Sequence, residues 1–211
     1  MTTFQMKVVI RMACIVLPAL IAVSAAPLSQ LSVLSPADRP VEPDTTDYAV
    51  IETVLNDCTS NPEFALPGNT QHVTVVLCSW TPTITDDSLV ANALNEDVQR
   101  DLGISLSDTL INAFQARNKT PQALRAFSTT NEYIIVVDEP SQPWDEYWEV
   151  ILPIDTRGWV APFLPVYSDD TSTAVLVFCG GPSDHGMTAT YVLSRTNEQW
   201  MVKGSHYSWY F

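Results

Sequence analysis

The chain has 211 residues, with 10 Lys and Arg against 24 Asp and Glu, a formal net charge of −14. That balance excludes a phosphate-neutralising surface, so nucleic acid is not an expected partner. Hydrophobic residues make up 46%, which excludes a disordered acidic tail, and the length suits one folded domain.

Residues 1–25 read as a secretory signal. Lys7 and Arg11 are the only charges before Asp38. They precede an apolar run from Met12 to Val23, shorter than the roughly 20 residues that cross a bilayer. Small residues Ser24, Ala25 and Ala26 follow, and cleavage is expected after Ala25. Pro18 opposes a regular spanning helix, and an uncleaved anchor is the alternative. Without the leader, 8 basic residues face 24 acidic ones, a net charge of −16 that repels anionic lipid and nucleic acid. The expected location is secreted or periplasmic, with no membrane contact after cleavage. Residues 26–43 carry Pro27, Pro36, Pro40 and Pro43 and read as a linker. Residues 44–211 form the single domain.

The domain opens with a helix. Tyr48, Ile51, Leu55 and Cys58 line one face, Asp44 caps it, and Asp47 three residues later completes a capping box. Asn61-Pro62 ends it, and Pro67-Gly68 turns the chain. His72 to Trp80 reads as a central strand, apolar on both faces and rich in β-branched residues. A helical stripe follows from Asp86 to Leu102, ended by Gly103. Ser107 caps a further helix with Leu110, Ile111 and Phe114 inside and Asn118 at its end. Pro121 opens a shorter helix carrying Leu124 and Phe127. Glu132 to Asp138 reads as a fully buried strand, and Asp145 to Ile151 as one or two helical turns.

Three strand runs close the chain: Thr173–Cys179, Met187–Ser194 and Trp200–Tyr210. Thr196-Asn197-Glu198-Gln199 joins the last two as a hairpin. Thr188, Thr190 and Ser194 make a wet face, and Ala189, Tyr191 and Leu193 a dry one. The expected class is α+β: N-terminal helices packed on one face of a mainly antiparallel sheet that ends in a three-stranded meander. The final forty residues should pair edge to edge, and ionisable groups should stay out of the dry interior.

The C-terminal half runs from Trp148, Pro153 and Gly158 through Tyr167-Ser168-Asp169-Asp170 to Gly180-Gly181-Pro182-Ser183-Asp184-His185-Gly186. It ends on Tyr191-Val192-Leu193, Trp200-Met201-Val202 and Trp209. This order resembles a family of uncharacterised secreted or envelope bacterial proteins of the planctomycete type. The resemblance implies export and a compact α+β domain, and brings no catalytic residues. The last hairpin is also similar to the closing strands of nuclear-transport-factor-2-like folds, which implies fold alone.

Two places stand out as binding candidates. The glycine-bearing loop 180–186 carries Ser183, Asp184 and His185, with His206 or Asp169 as partners from elsewhere. Three consecutive side chains do not converge as a triad, so a structured hairpin loop is the simpler reading. Trp144, Tyr147, Trp148 and Trp159 stand among Asp145, Glu146, Glu149 and Asp155. Such rings serve sugar clefts, and paired carboxylates hydrolyse glycosidic bonds, but rings of this kind more often anchor a core. His72, His185 and His206 lack helical metal spacing, and no Cys-x-x-Cys occurs, so no metal or cofactor is expected. Cys58, Cys78 and Cys179 allow one bridge with unassigned ends and leave at least one free thiol. Asn118-Lys119-Thr120 is a glycosylation triplet.

No assembled catalytic motif emerges. The expected function is a non-enzymatic binding or interaction module, taking a small molecule, a glycan or an envelope protein. A hydrolase of envelope glycan or peptide and a structural envelope component are the alternatives.

Overall fold

A computed structural model of the chain describes residues 42–64, 73–84, 91–137, 156–181 and 186–209. The leader, most of the linker, the Pro67-Gly68 turn, the first cap of the 86–102 stripe and the 145–151 turns lie outside the described residues.

Helix α1 spans Thr45–Cys58. Asp44 Oδ1 accepts from the amides of Thr46 at 2.7 Å and Asp47 at 2.9 Å, while Asp47 Oδ2 accepts from the Asp44 amide at 2.9 Å. This is the reciprocal capping expected from the spacing. Val50, Ile51, Val54, Leu55 and Cys58 form its buried stripe.

Seven strands make one mixed sheet: β1 Thr74–Cys78, β2 Ile134–Val137, β3 Thr156–Pro162, β4 Val166–Tyr167, β5 Thr173–Gly181, β6 Met187–Thr196 and β7 Gln199–Trp209. The order is β2-β1-β3-β5-β6-β7, with β4 also against β5. β1 is parallel to both β2 and β3, and every other pairing is antiparallel. The meander β5-β6-β7 forms as expected, and β1 is central. The α+β class holds.

Asn197 and Glu198 close the last hairpin with φ of 50° and 66°, the left-handed pair of a type I′ turn. On the edge strand β7 the register skips Lys203, since Val192 faces Gly204 and Leu193 faces Val202. A bulge and a lysine are common protections of an exposed edge.

Helices cover both faces of the sheet, not one. On the first face α1 packs against Val75, Leu77, Leu176, Phe178 and Tyr191. On the second, Leu110 and Phe114 of helix α3 (Asp108–Arg117) pack against Val76, Trp159, Val175 and Val177. Strand alternation explains the division, because runs apolar at every position need partners on two sides. It also corrects the wet face of β6. Thr188 and Thr190 are buried, and Thr190 Oγ1 donates to the Ala93 carbonyl at 2.6 Å.

Three other expectations change. The 86–102 stripe is interrupted at Asn95, whose side chain takes the Val98 amide at 2.9 Å and starts the separate helix α2, Glu96–Asp101. An Asn side chain offers the backbone this alternative to helix continuation. The segment after Pro121 makes a single bridge at Ala123 and one turn, with Phe127 N donating to Leu124 O at 3.0 Å, rather than a helix. Its backbone is taken up by the chain leaving β1, with Thr81 N donating to Gln122 O at 2.9 Å and Leu124 N to Ser79 O at 2.7 Å. Finally, β2 is a short edge strand in which only Ile134 is buried, while Ile135 and Val136 are 40% and 41% exposed. A buried apolar run and an apolar edge share one sequence pattern.

Candidate functional site

Both ends of α1 are fastened to the sheet by buried and half-buried polar groups. At the N-terminal end, the fully buried Asp47 accepts from Tyr167 Oη at 2.7 Å and from Arg117 Nη2 at 2.5 Å. Arg117 also donates to the Pro165 carbonyl. Burial, and then the Asp47 charge, push the Tyr167 phenol up, so it stays protonated and donating. At the C-terminal end, Tyr191 Oη donates to Asp57 Oδ2 at 2.8 Å and also pairs with Tyr207 Oη. Asn61 Nδ2 donates to the same Asp57 oxygen at 2.9 Å, and Arg157 donates to the Thr59 carbonyl at 3.3 Å and the Asn61 carbonyl. Burial pushes the Tyr191 and Tyr207 phenols up as well. The expectation that ionisable groups avoid the interior is therefore overturned. These groups pair with one another and hold α1 in place, although the buried Arg117 Nε makes no hydrogen bond among the described residues.

Their chemistry is that of fasteners. Cys58 Sγ lies 3.7 Å from Tyr191 Oη, yet burial pushes its thiol up and away from the nucleophilic thiolate. Burial likewise raises Cys78 and Cys179 to about 12. No bridge forms among Cys58, Cys78 and Cys179, all of which are free and buried. Cys58 belongs to the first core and the other two to the second. Cys78 on β1 and Cys179 on β5 have β3 between them. That places them about 9–10 Å apart, beyond the roughly 7 Å a disulfide spans.

Among the described residues, one open feature lies at the carboxyl ends of the parallel strands β1 and β2. There a groove of about 600 Å³ is lined by Ser79 and Trp80 as the chain leaves β1, by Leu124, Arg125 and Phe127, and by Val136 of β2. An isolated bridge between Trp80 and Ala123 holds the two sides together. Phe127 is backed edge-on by Tyr48 of α1, with ring centroids 6.2 Å apart. Parallel strands place their connections, and so their ligand crevices, at this end.

The sequence candidates do not assemble. Trp159 sits in β3 at 6% exposure within the second core, so its ring is a packing group rather than a surface platform. His206 in β7 is 26% exposed, with Nδ1 3.2 Å from Asp101 Oδ2. It is the one imidazole among the described residues. The strands of Trp159 and His206 are three spacings apart, about 14 Å, so the two do not share a cleft. Ser183, Asp184, His185, Trp144 and Trp148 lie outside the described residues. The strands flanking the 182–185 loop are antiparallel neighbours, with Gly180 opposite Met187. Among the described residues no group of three or more potential metal ligands occurs, and no helix is long and apolar enough to cross a membrane.

Sequence reasoning missed the groove. Trp80 directly after a central strand, and Arg125 as one of only ten basic residues, were the signals available. The glycosylation triplet is closed. Asn118 is fully buried, donates from Nδ2 to the Phe114 and Leu164 carbonyls at 3.0 and 3.1 Å, and accepts from the Leu164 amide at 2.7 Å. No known protein family, curated protein or solved structure matches the chain.

Proposed function

We propose that this chain is an exported acidic domain that binds a ligand without transforming it, in the groove at the carboxyl ends of β1 and β2. The observation that carries the reading is the groove itself. It has the size of small-molecule sites, and its lining sets Trp80, Phe127 and Val136 beside the polar Ser79 and Arg125. Its lining includes Val136, a large apolar side chain left exposed on an edge strand. Export is supported by the charge and hydropathy pattern of residues 1–25. A binding role rather than a hydrolytic one is supported by the state of the nucleophile candidates. The thiols are held protonated, and His206 contacts Asp101 rather than a hydroxyl or thiol.

The test is a protein-observed NMR screen of small-molecule, oligosaccharide and short-peptide mixtures against the secreted chain. Hits should shift the resonances of Trp80, Leu124, Phe127 and Val136 and be recovered unchanged. Shifts gathered elsewhere, or a hit consumed with turnover, would overturn the reading. N-terminal sequencing of the same material should begin at Ala26.

A further inference from the structure

We infer that the groove selects ligands carrying a carboxylate beside an aromatic or branched aliphatic body; this rests on the groove being the binding site. The chain is strongly acidic, yet a cation stands at this opening. Of the basic residues described, Arg157 is buried, Arg117 pairs with the buried Asp47, and Arg100 and Arg195 pair with Asp97 and Glu198. Lys119, Arg125 and Lys203 are exposed and have no acidic partner among the described residues. Arg125 alone of these lines the groove. A guanidinium without a partner offers a planar fork that matches a carboxylate. Trp80, Phe127 and the exposed Val136 beside it give an aromatic or branched body side chains to cover. The acidic field of the rest of the molecule repels an anion at long range, so retention depends on this local pairing. A peptide's C-terminal residue and a free acylated amino acid present the same chemistry.

Calorimetric titration with N-acetylphenylalanine and with its primary amide tests this on the whole secreted chain. The acid should bind about tenfold or more tightly than the amide, and Arg125→Gln should erase that difference while the native circular dichroism is kept. Equal binding of acid and amide, both weakened by Trp80→Ala, would overturn the carboxylate preference and leave the groove as the site. Binding of neither, alongside NMR hits mapping elsewhere, would overturn both.

A separate observation concerns Asn118. We infer that N-glycosylation there and folding exclude each other, because the Nδ2 that would carry the sugar is buried and holds two carbonyls. Glycan placed on the nascent chain would keep the end of α3 from its contact with Leu164. Mass analysis of the Asn118 peptide from chain secreted by a glycosylating host should find it unmodified in all natively folded material. A glycan on Asn118 in protein with native circular dichroism and wild-type melting would overturn the inference.

Discussion

The two halves of the sheet are built differently. The parallel half, β2-β1-β3, has strands of 4, 5 and 7 residues, and its edge leaves Ile135 and Val136 exposed. The antiparallel half, β5-β6-β7, has strands of 9, 10 and 11 residues, with β6 and β7 joined by a two-residue turn. α1 is tied at its first end through Asp47 to Tyr167 of β4, which pairs with β5, and at its last end through Asp57 to Tyr191 of β6, with Arg157 of β3 holding the Thr59 and Asn61 carbonyls beyond it. Antiparallel neighbours close with short turns, whereas parallel neighbours need long crossovers. One half therefore carries the stability, and the other ends in loops that can carry a site.

Changes on the antiparallel side should unfold the protein without touching the groove. Asp47→Ala strands the buried Arg117 guanidinium and should cost about 3–5 kcal/mol in urea unfolding. A loss below about 1 kcal/mol would show that the α1 fastening is not energetic. Gly180→Ala comes next. Its Cβ would lie 2.5 Å from the Trp159 carbonyl oxygen and 3.0 Å from the Phe178 ring, so the β3–β5 pair must part, at about 1–3 kcal/mol. Tyr191→Phe removes the donor to Asp57 and should cost about 1–2 kcal/mol, with ligand affinity unchanged.

Alkali should act through the same groups. The folded chain keeps Cys78 and Cys179 protonated up to about 12 against an ordinary 9.0, and the Tyr167, Tyr191 and Tyr207 phenols shift upward from 10.0. The unfolded state releases these protons first. Their contribution to stability is thus fully present below about pH 9 and is lost as pH rises toward 12. Melting temperatures measured across that range should fall steadily. A flat profile would mean that these groups are hydrated in the native state. Smallest in stability is Val136→Ser, within about 0.5 kcal/mol of wild type, although it should weaken any groove ligand.

The contrast also explains what the sequence disclosed. Ala174 to Phe178, the Asn197-Glu198 turn and the Asp44–Asp47 box are local patterns whose meaning does not depend on distant residues, and they were legible. β3 was not, because Arg157, Gly158 and Pro162 disguise a strand whose close approach to β5 needs glycine at 158 as well as at 180: a Cβ at 158 would lie 2.7 Å from the Gly181 carbonyl oxygen. The fastening of Asp47 by Arg117 spans 70 positions, and that of Asp57 by Tyr191 spans 134. No periodicity records such pairs. The groove was hidden for the same reason, since Trp80, Arg125 and Val136 meet only once β1 and β2 lie side by side.

Amide hydrogen exchange with and without saturating N-acetylphenylalanine tests the division of labour most directly. Without ligand, β5, β6 and the inner part of β7 should exchange only through global unfolding, and β2 through cheaper local opening. With ligand, protection should rise at residues 79–81, 123–127 and 134–137 beyond any uniform gain. Equal protection of both halves in the free protein, or a ligand-induced gain confined to the meander, would contradict it.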